Sequence, residues 1–170
     1  MKKECLFSQE IILAKVRELG NRISEDYSGK EPVFIGILNG VIFFFADLLR
    51  EITIPCKMDF IRAASYGSEM VSSGTVRLTK DVEISVKNQH IILVEDIVDT
   101  GLTLNRIVRR LQEKGPASIK ICALIDKLER REEEVSLDYC GFKVEEGFLV
   151  GYGLDHDEKY RYLRDVYILN

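Results

Sequence analysis

The chain has 170 residues, with 24 basic and 28 acidic side chains and a formal net charge of −4. That length suits one domain, and a domain of this size buries roughly 70% of the surface its unfolded chain exposes. Hydrophobic residues at 46% and charged residues at 31% exclude a disordered or fibrous chain. The slightly acidic balance excludes a long-range pull toward nucleic acid or anionic lipid, so any phosphate binding has to be local.

The N-terminal Met-Lys-Lys-Glu-Cys-Leu-Phe-Ser lacks the apolar core of a signal peptide. The longest uncharged stretch, Pro32 to Ala46, is interrupted by Gly36, Asn39 and Gly40 and is too short to span a bilayer. Cys5, Cys56, Cys122 and Cys140 are too widely spaced for a CxxC site and read as reduced thiols. A soluble, cytoplasmic domain with no membrane partner is expected.

Ser8 is placed to cap a helix whose apolar positions Ile12, Val16, Leu19 and Ile23 recur at helical spacing. Val33 to Leu38 is a continuous apolar run typical of a strand buried on both faces. Asn39-Gly40 breaks it, and Val41 to Glu51 reads as a helix. A strand through Met58 to Ile61 ends near Ser65-Tyr66, ahead of the polar, glycine-bounded stretch Gly67 to Gly74. That stretch reads as a solvated hairpin loop or as a mobile lid. Ile91 to Val94 is a further β-branched run. The helix after it places Leu104, Ile107, Val108 and Leu111 on one face and stops at Gly115-Pro116. Ile119 to Ile125 is the next buried strand, so strand, helix and strand form a βαβ unit in a mainly parallel sheet. Glu129 to Glu134 reads as a solvated charge run, and Phe148 to Val150 as a short strand.

Ligands of an open α/β sheet sit beyond the carboxyl ends of its strands. Glu95, Asp96 and Asp99 are expected there, followed by Thr100, Gly101 and Thr103 at a helix start. Unpaired N–H groups, a positive dipole end and two hydroxyls make a phosphate cradle. Acids beside such a cradle suit ribose hydroxyls, or a Mg²⁺ ion held partly through substrate oxygens. A sugar phosphate is the ligand class this implies. No GxxxxGK[ST] and no GxGxxG follows a strand, which excludes a P-loop or dinucleotide module.

The run Ile-Leu-Val-Glu-Asp-Ile-Val-Asp-Thr-Gly-Leu-Thr-Leu, residues 92–104, resembles the signature of type I phosphoribosyltransferases, which bind phosphoribosyl pyrophosphate (PRPP). Leu38-Asn39-Gly40, Ser65-Tyr66-Gly67, Asp126-Lys127 with Arg130-Arg131, and Phe148 to Asp155 narrow the resemblance to the hypoxanthine (hypoxanthine-guanine) phosphoribosyltransferase family. The resemblance implies a single domain over residues 1–170, an α/β fold with a mostly parallel sheet flanked by helices. It also implies a small hood over the purine, built from the N-terminal segment and roughly residues 142–170.

It further implies pentosyl transfer in purine salvage, making IMP or GMP from 6-oxopurine and PRPP with Mg²⁺. Glu95 and Asp96 match the pair that holds the ribose hydroxyls near one Mg²⁺, and Asp155 matches a water-mediated ligand of a second. Asp99 matches the residue that exchanges a proton with purine N7, or that only orients N7 by a hydrogen bond. Asp99, Thr100, Gly101, Leu102 and Thr103 match the 5′-phosphate loop, with Leu102 where relatives often carry a basic residue.

Lys127 matches the donor to purine O6; an ammonium accepts nothing, so it disfavours adenine. An ion pair with Asp126 is the plainer alternative for Lys127. Phe148 matches the stacking residue, and the Leu149 main chain the contact to the N1/N2 edge. Leu38, Asn39 and Gly40 match a pyrophosphate loop that commonly carries lysine at its centre and a cis peptide at its first bond. Arg161 matches a pyrophosphate contact, Arg131 a support of the Asp99 region, and Ser65-Tyr66 the lid anchor.

A homodimer or homotetramer is implied, with Val41 to Phe45 either part of an interface or ordinary core. The alternative is a nucleotide-binding, RNA-binding regulator of the same fold. The negative charge and the presence of Asp99 and Lys127 speak against it, and no nucleic-acid partner is expected.

Overall fold

The computed structural model describes residues 2–64 and 77–170, so Ser65, Tyr66 and the stretch 67–74 lie outside the described residues. The large sheet is built on β2 (Val33–Ile37), which is buried at every position. It pairs in parallel with β3 (Lys57–Ala63) on one side and β5 (His90–Val98) on the other. Beyond β5 lie β6 (Ser118–Lys127) and β7 (Tyr139–Val144), also parallel, and β4 (Leu78–Lys80) closes the opposite edge antiparallel to β3. The α/β fold with a mostly parallel sheet is therefore as expected.

Helices cover both faces, which is why the central strands are uninterrupted apolar runs. Ser8 caps α1 (Gln9–Asp26) by accepting from the Ile11 N–H at 3.4 Å, and Ile12, Val16, Leu19 and Ile23 are buried. These side chains pack with Phe44, Phe45 and Leu48 of α2 (Ile42–Arg50) against Phe34, Ile92 and Val94. The alternate strand residues Val33, Ile35, Ile91 and Leu93 face Leu104, Ile107 and Leu111 of α3 (Leu102–Gln112). One-residue alternation along β2 and β5 thus feeds two cores.

A second sheet has the order β1-β9-β8, all antiparallel: β1 (Lys3–Phe7), β9 (Val166–Leu169) and β8 (Phe148–Val150). Leu149, Tyr152, Leu154 and Val166 join it to the α1/α2 core. Residues 142–144, expected in the hood, instead pair with β6, because β7 needs them to complete the edge of the large sheet. The small sheet takes up the chain from Phe148.

The carboxylates need a second correction. β5 runs on to Val98, pairing with β6 as far as Val98 opposite Asp126. Glu95 and Asp96 are strand residues, and Asp99 is the first acid past the strand end. Of the Val41 to Phe45 run, Val41, Phe44 and Phe45 are core, while Ile42 and Phe43 are each 41% exposed.

Candidate active site

β5 delivers Asp99 at its carboxyl end, and α3 begins three residues later. Asp99, Thr100, Gly101 and Thr103, with Glu95 and Leu104, line a cavity of about 170 Å³. The first N–H groups of α3 have no partner within the helix and face an anion naturally. Thr100 Oγ1 accepts from the Leu102 N–H at 3.3 Å, which shapes the turn. Gly101 has φ +84°, and a Cβ there would press on the Glu133 carbonyl. The neighbouring 131–135 segment therefore demands glycine, independently of any ligand.

Asp96 is 8% exposed; its Oδ1 accepts from the Ile97 N–H at 2.9 Å, and its Oδ2 abuts Gly40 so closely that a Cβ on Gly40 would collide with it. Glu95 Oε1 accepts from the Asp96 N–H at 3.1 Å. Burial, then the adjacent Asp96, holds the Glu95 carboxyl well above the usual carboxylate range.

Leu38-Asn39-Gly40 follows β2 with a cis peptide between Leu38 and Asn39. Gly153, at φ +97°, lies against the Gly40 carbonyl. Arg161 donates to the Gly153 carbonyl at 2.7 Å and pairs with Asp155 at 3.1 Å. Asp155 Oδ2 in turn accepts from the Glu158 N–H at 2.9 Å. Asp96, Gly40, Gly153, Arg161 and Asp155 are thus linked by successive contacts across the gap between the sheets.

Lys127 ends β6 and is 6% exposed. Its Nζ is 3.3 Å from Glu129 and 4.0 Å from Asp99 Oδ1, an ion-pair distance too long for a hydrogen bond. Asp99 Oδ1 is buried and has no hydrogen-bond partner among the described residues. Asp99 Oδ2 is 3.5 Å from Arg130. The expected alternative pairing of Lys127 with Asp126 does not form, because Asp126 is bound by Arg131. Arg131 also donates to the carbonyls of Asp99 at 2.8 Å, Val98 at 3.2 Å and Lys127 at 3.1 Å, locking the ends of β5 and β6 together. Phe148 leaves 48% of its surface open, and its ring meets His156 edge-on at 5.0 Å. The Leu149 side chain is core, and its main chain lies in β8 opposite Ile168.

Several residues outside the expected set brace this arrangement. The Glu132 and Glu133 N–H groups both donate to the Thr100 carbonyl, at 2.9 and 3.1 Å, and Asn105 donates to Glu133 at 2.9 Å. Glu129 accepts from the Gly147 N–H at 3.2 Å. The run 129–134 is therefore a brace for the 99–103 loop as well as a polar surface. The only hint in the sequence was its closeness to Lys127.

Residues 4–157 match the phosphoribosyl transferase domain family, so the protein is a phosphoribosyltransferase. The chain is 42% identical over 167 residues to a hypoxanthine-guanine phosphoribosyltransferase of Streptococcus thermophilus, covering 98% of this chain and 93% of the relative. It is 41% identical to that of Bacillus subtilis over the same shares of both chains. A crystal structure of a hypoxanthine-guanine phosphoribosyltransferase from Bacillus anthracis superposes with a TM-score of 0.93 at 40% identity, covering 98% of both chains. The chain belongs to the hypoxanthine-guanine phosphoribosyltransferase family, enzymes of purine salvage.

Proposed function

We propose that this enzyme converts hypoxanthine or guanine, with PRPP, to IMP or GMP and pyrophosphate. The observation that carries this reading is the pairing of a buried ammonium with an unpartnered carboxylate oxygen, Lys127 Nζ beside Asp99 Oδ1. Purine O6 is an acceptor and the N7–H of the reactive tautomer is a donor, and they lie side by side on the ring. The two protein groups complement that edge in sign and order. Adenine would place an amino donor against the ammonium, and the two donors cannot pair.

In the reaction, purine N9 forms a bond to the anomeric carbon as the bond to pyrophosphate breaks, and its electron pair leaves on pyrophosphate. Asp99 takes the proton released from N7. The α3 N-terminus, Thr100 and Thr103 hold the 5′-phosphate, while Glu95 and Asp96 accept from the ribose hydroxyls. Gly40, Asn39 and Arg161 hold the pyrophosphate; Asn39 brings no charge, so main-chain N–H groups carry more of that contact. Phe148 stacks on the base through its open face.

Mg²⁺ fits the donors, because Glu95, Asp96 and Asp155 offer only oxygen and the ion binds through one or two carboxylates plus substrate oxygens and water. When bound, it neutralises charge developing on the leaving pyrophosphate. The engagement of both Asp155 oxygens by Arg161 and Glu158 suits contact through water.

A second copy of the chain is the proposed partner. Exposed Ile42 and Phe43 line a groove of about 530 Å³ with Tyr160 and Tyr162. Four unpaired thiols suit a reducing, cytoplasmic setting.

The test is pyrophosphate release from PRPP with hypoxanthine, guanine, xanthine or adenine in separate reactions. Release with hypoxanthine or guanine and not adenine is expected, and it should stop on chelation of divalent metal and return with Mg²⁺. Turnover of adenine in preference to the oxopurines would overturn the assignment.

A further inference from the structure

We propose that Glu129 is a positioning residue for purine selection, fixing the Lys127 ammonium and the approach to Phe148 with one carboxylate. This rests on the reading of Lys127 as the O6 donor. The Glu129 Oε2 atom is shared by two groups from different sheets: Lys127 Nζ, at the end of β6, at 3.3 Å and the Gly147 N–H, just before β8, at 3.2 Å.

Neither group moves freely. The Lys127 side chain is 8% exposed and ends a strand paired on both sides. Gly147 has φ +113°, and a Cβ there would collide with the Ile168 side chain, so the small sheet dictates where its N–H points. Phe148, the next residue, is paired with Leu169. The carboxylate therefore spans the large sheet at Lys127 and the small sheet at the root of Phe148.

An isolated ion pair on a surface contributes little, since water competes for both partners and two long side chains must be ordered. Here the lysine stem is buried and already ordered, so pairing mainly fixes the direction of its three N–H bonds. With one held by Glu129, the other two are left for O6, with Asp99 Oδ1 4.0 Å away. Without Glu129 the ammonium can swing toward Asp99, closing on the oxygen meant for N7. The Glu129 carboxyl lies below its usual range, chiefly through the Gly147 N–H and then Lys127, in keeping with both contacts.

The experiment compares Glu129→Ala, Glu129→Gln and Lys127→Ala in steady-state kinetics with hypoxanthine, adenine and PRPP, alongside thermal melts. Glu129→Ala should raise the KM for hypoxanthine a few-fold, because the carboxylate is 46% exposed and water competes for it. The KM for PRPP should stay within about twofold and the preference for hypoxanthine over adenine should shrink. Glu129→Gln keeps an acceptor for Gly147 but loses the charge, so its hypoxanthine KM should fall between those of the wild type and the alanine variant. Lys127→Ala should lose the preference outright.

If Lys127→Ala leaves hypoxanthine KM and preference unchanged, the purine-site reading itself fails. If Lys127→Ala has its effect and both Glu129 variants match the wild type, the positioning role of Glu129 is overturned. It is equally overturned if Glu129→Ala raises both substrates' KM alike with a lowered melting temperature, the mark of a merely structural residue.

Discussion

Gly40 shows how little room the centre of the site allows. It sits between the Asp96 carboxylate and Gly153, and a single added carbon at Gly40 or Gly153 meets an oxygen. Gly153 also carries φ +97°, where a side chain is strained whatever the space. Gly153→Ala is therefore expected to cost more than about 1 kcal/mol, and to abolish pyrophosphate release by displacing Gly40; melts and the release assay read the two effects. At Asp99 the two chemical roles separate in Asp99→Asn, which keeps an acceptor for N7–H and loses the ability to take its proton. A fall in kcat of roughly 10²-fold with purine KM within a few-fold is the expected result, whereas unchanged kcat would leave Asp99 as an orienting group. The acids and helix start of residues 92–104 could be read from the sequence as one unit because they are contiguous. Glu129 could not, since an acid among charged neighbours looks solvated until the fold brings Gly147 and Lys127 to it.

Among the elements, the strands and helices with a strong period were plain in the sequence: α1, β2, α2, α3 and β6 lie where apolar spacing put them. The end of β5 was not, because Glu95 and Asp96 look like loop residues and only pairing with β6 keeps them extended. β1, β4 and β9 carry no such pattern, being short strands whose existence depends on distant partners. β3 is tied to the chain after β4 by one buried side chain. Asp59, 8% exposed, accepts from the N–H groups of Phe60 at 2.7 Å, Glu83 at 2.6 Å and Ile84 at 3.0 Å, and from Lys80 at 3.3 Å. Burial alone would push its carboxyl up, but the Ile84, Phe60 and Glu83 bonds with Lys80 outweigh that and hold it below the usual range. A folded pKa below the unfolded value of about 3.9 makes this contribution complete above that pH and lost as pH falls through the folded value. Asp59→Asn should cost about 2–3 kcal/mol near neutrality, and the gap between variant and wild type should close in acid, as denaturant melts at several pH values would show.

Across the molecule, Lys127 and Phe148, the residues proposed to hold the purine, come together because two sheets share a core. Tyr152, 6% exposed on the segment after β8, donates to Asp47 on α2 at 2.5 Å. Burial and that carboxylate push the phenol far above its usual range, so it stays a donor at any working pH. Tyr152→Phe keeps the packing and removes the bond, for an expected loss of about 1.5–3 kcal/mol. That corresponds to a melting temperature lower by roughly 2–4 °C for each kcal/mol in a chain of this size.

The pairing of β1 with β9 joins Lys3 to Leu169, the most separated partners among the described strands. Contacts of such long sequence separation carry a loop-closure cost that only an already ordered large sheet can offset. The expected order of assembly is β2, β5 and β6 first and the β1-β9-β8 sheet last. In the native protein the same hierarchy runs backwards. Amides of β8 and β9 should exchange with deuterium well ahead of those in β5 and β6, and a purine nucleotide, bridging both sheets, should slow that exchange most at Phe148 and its neighbours.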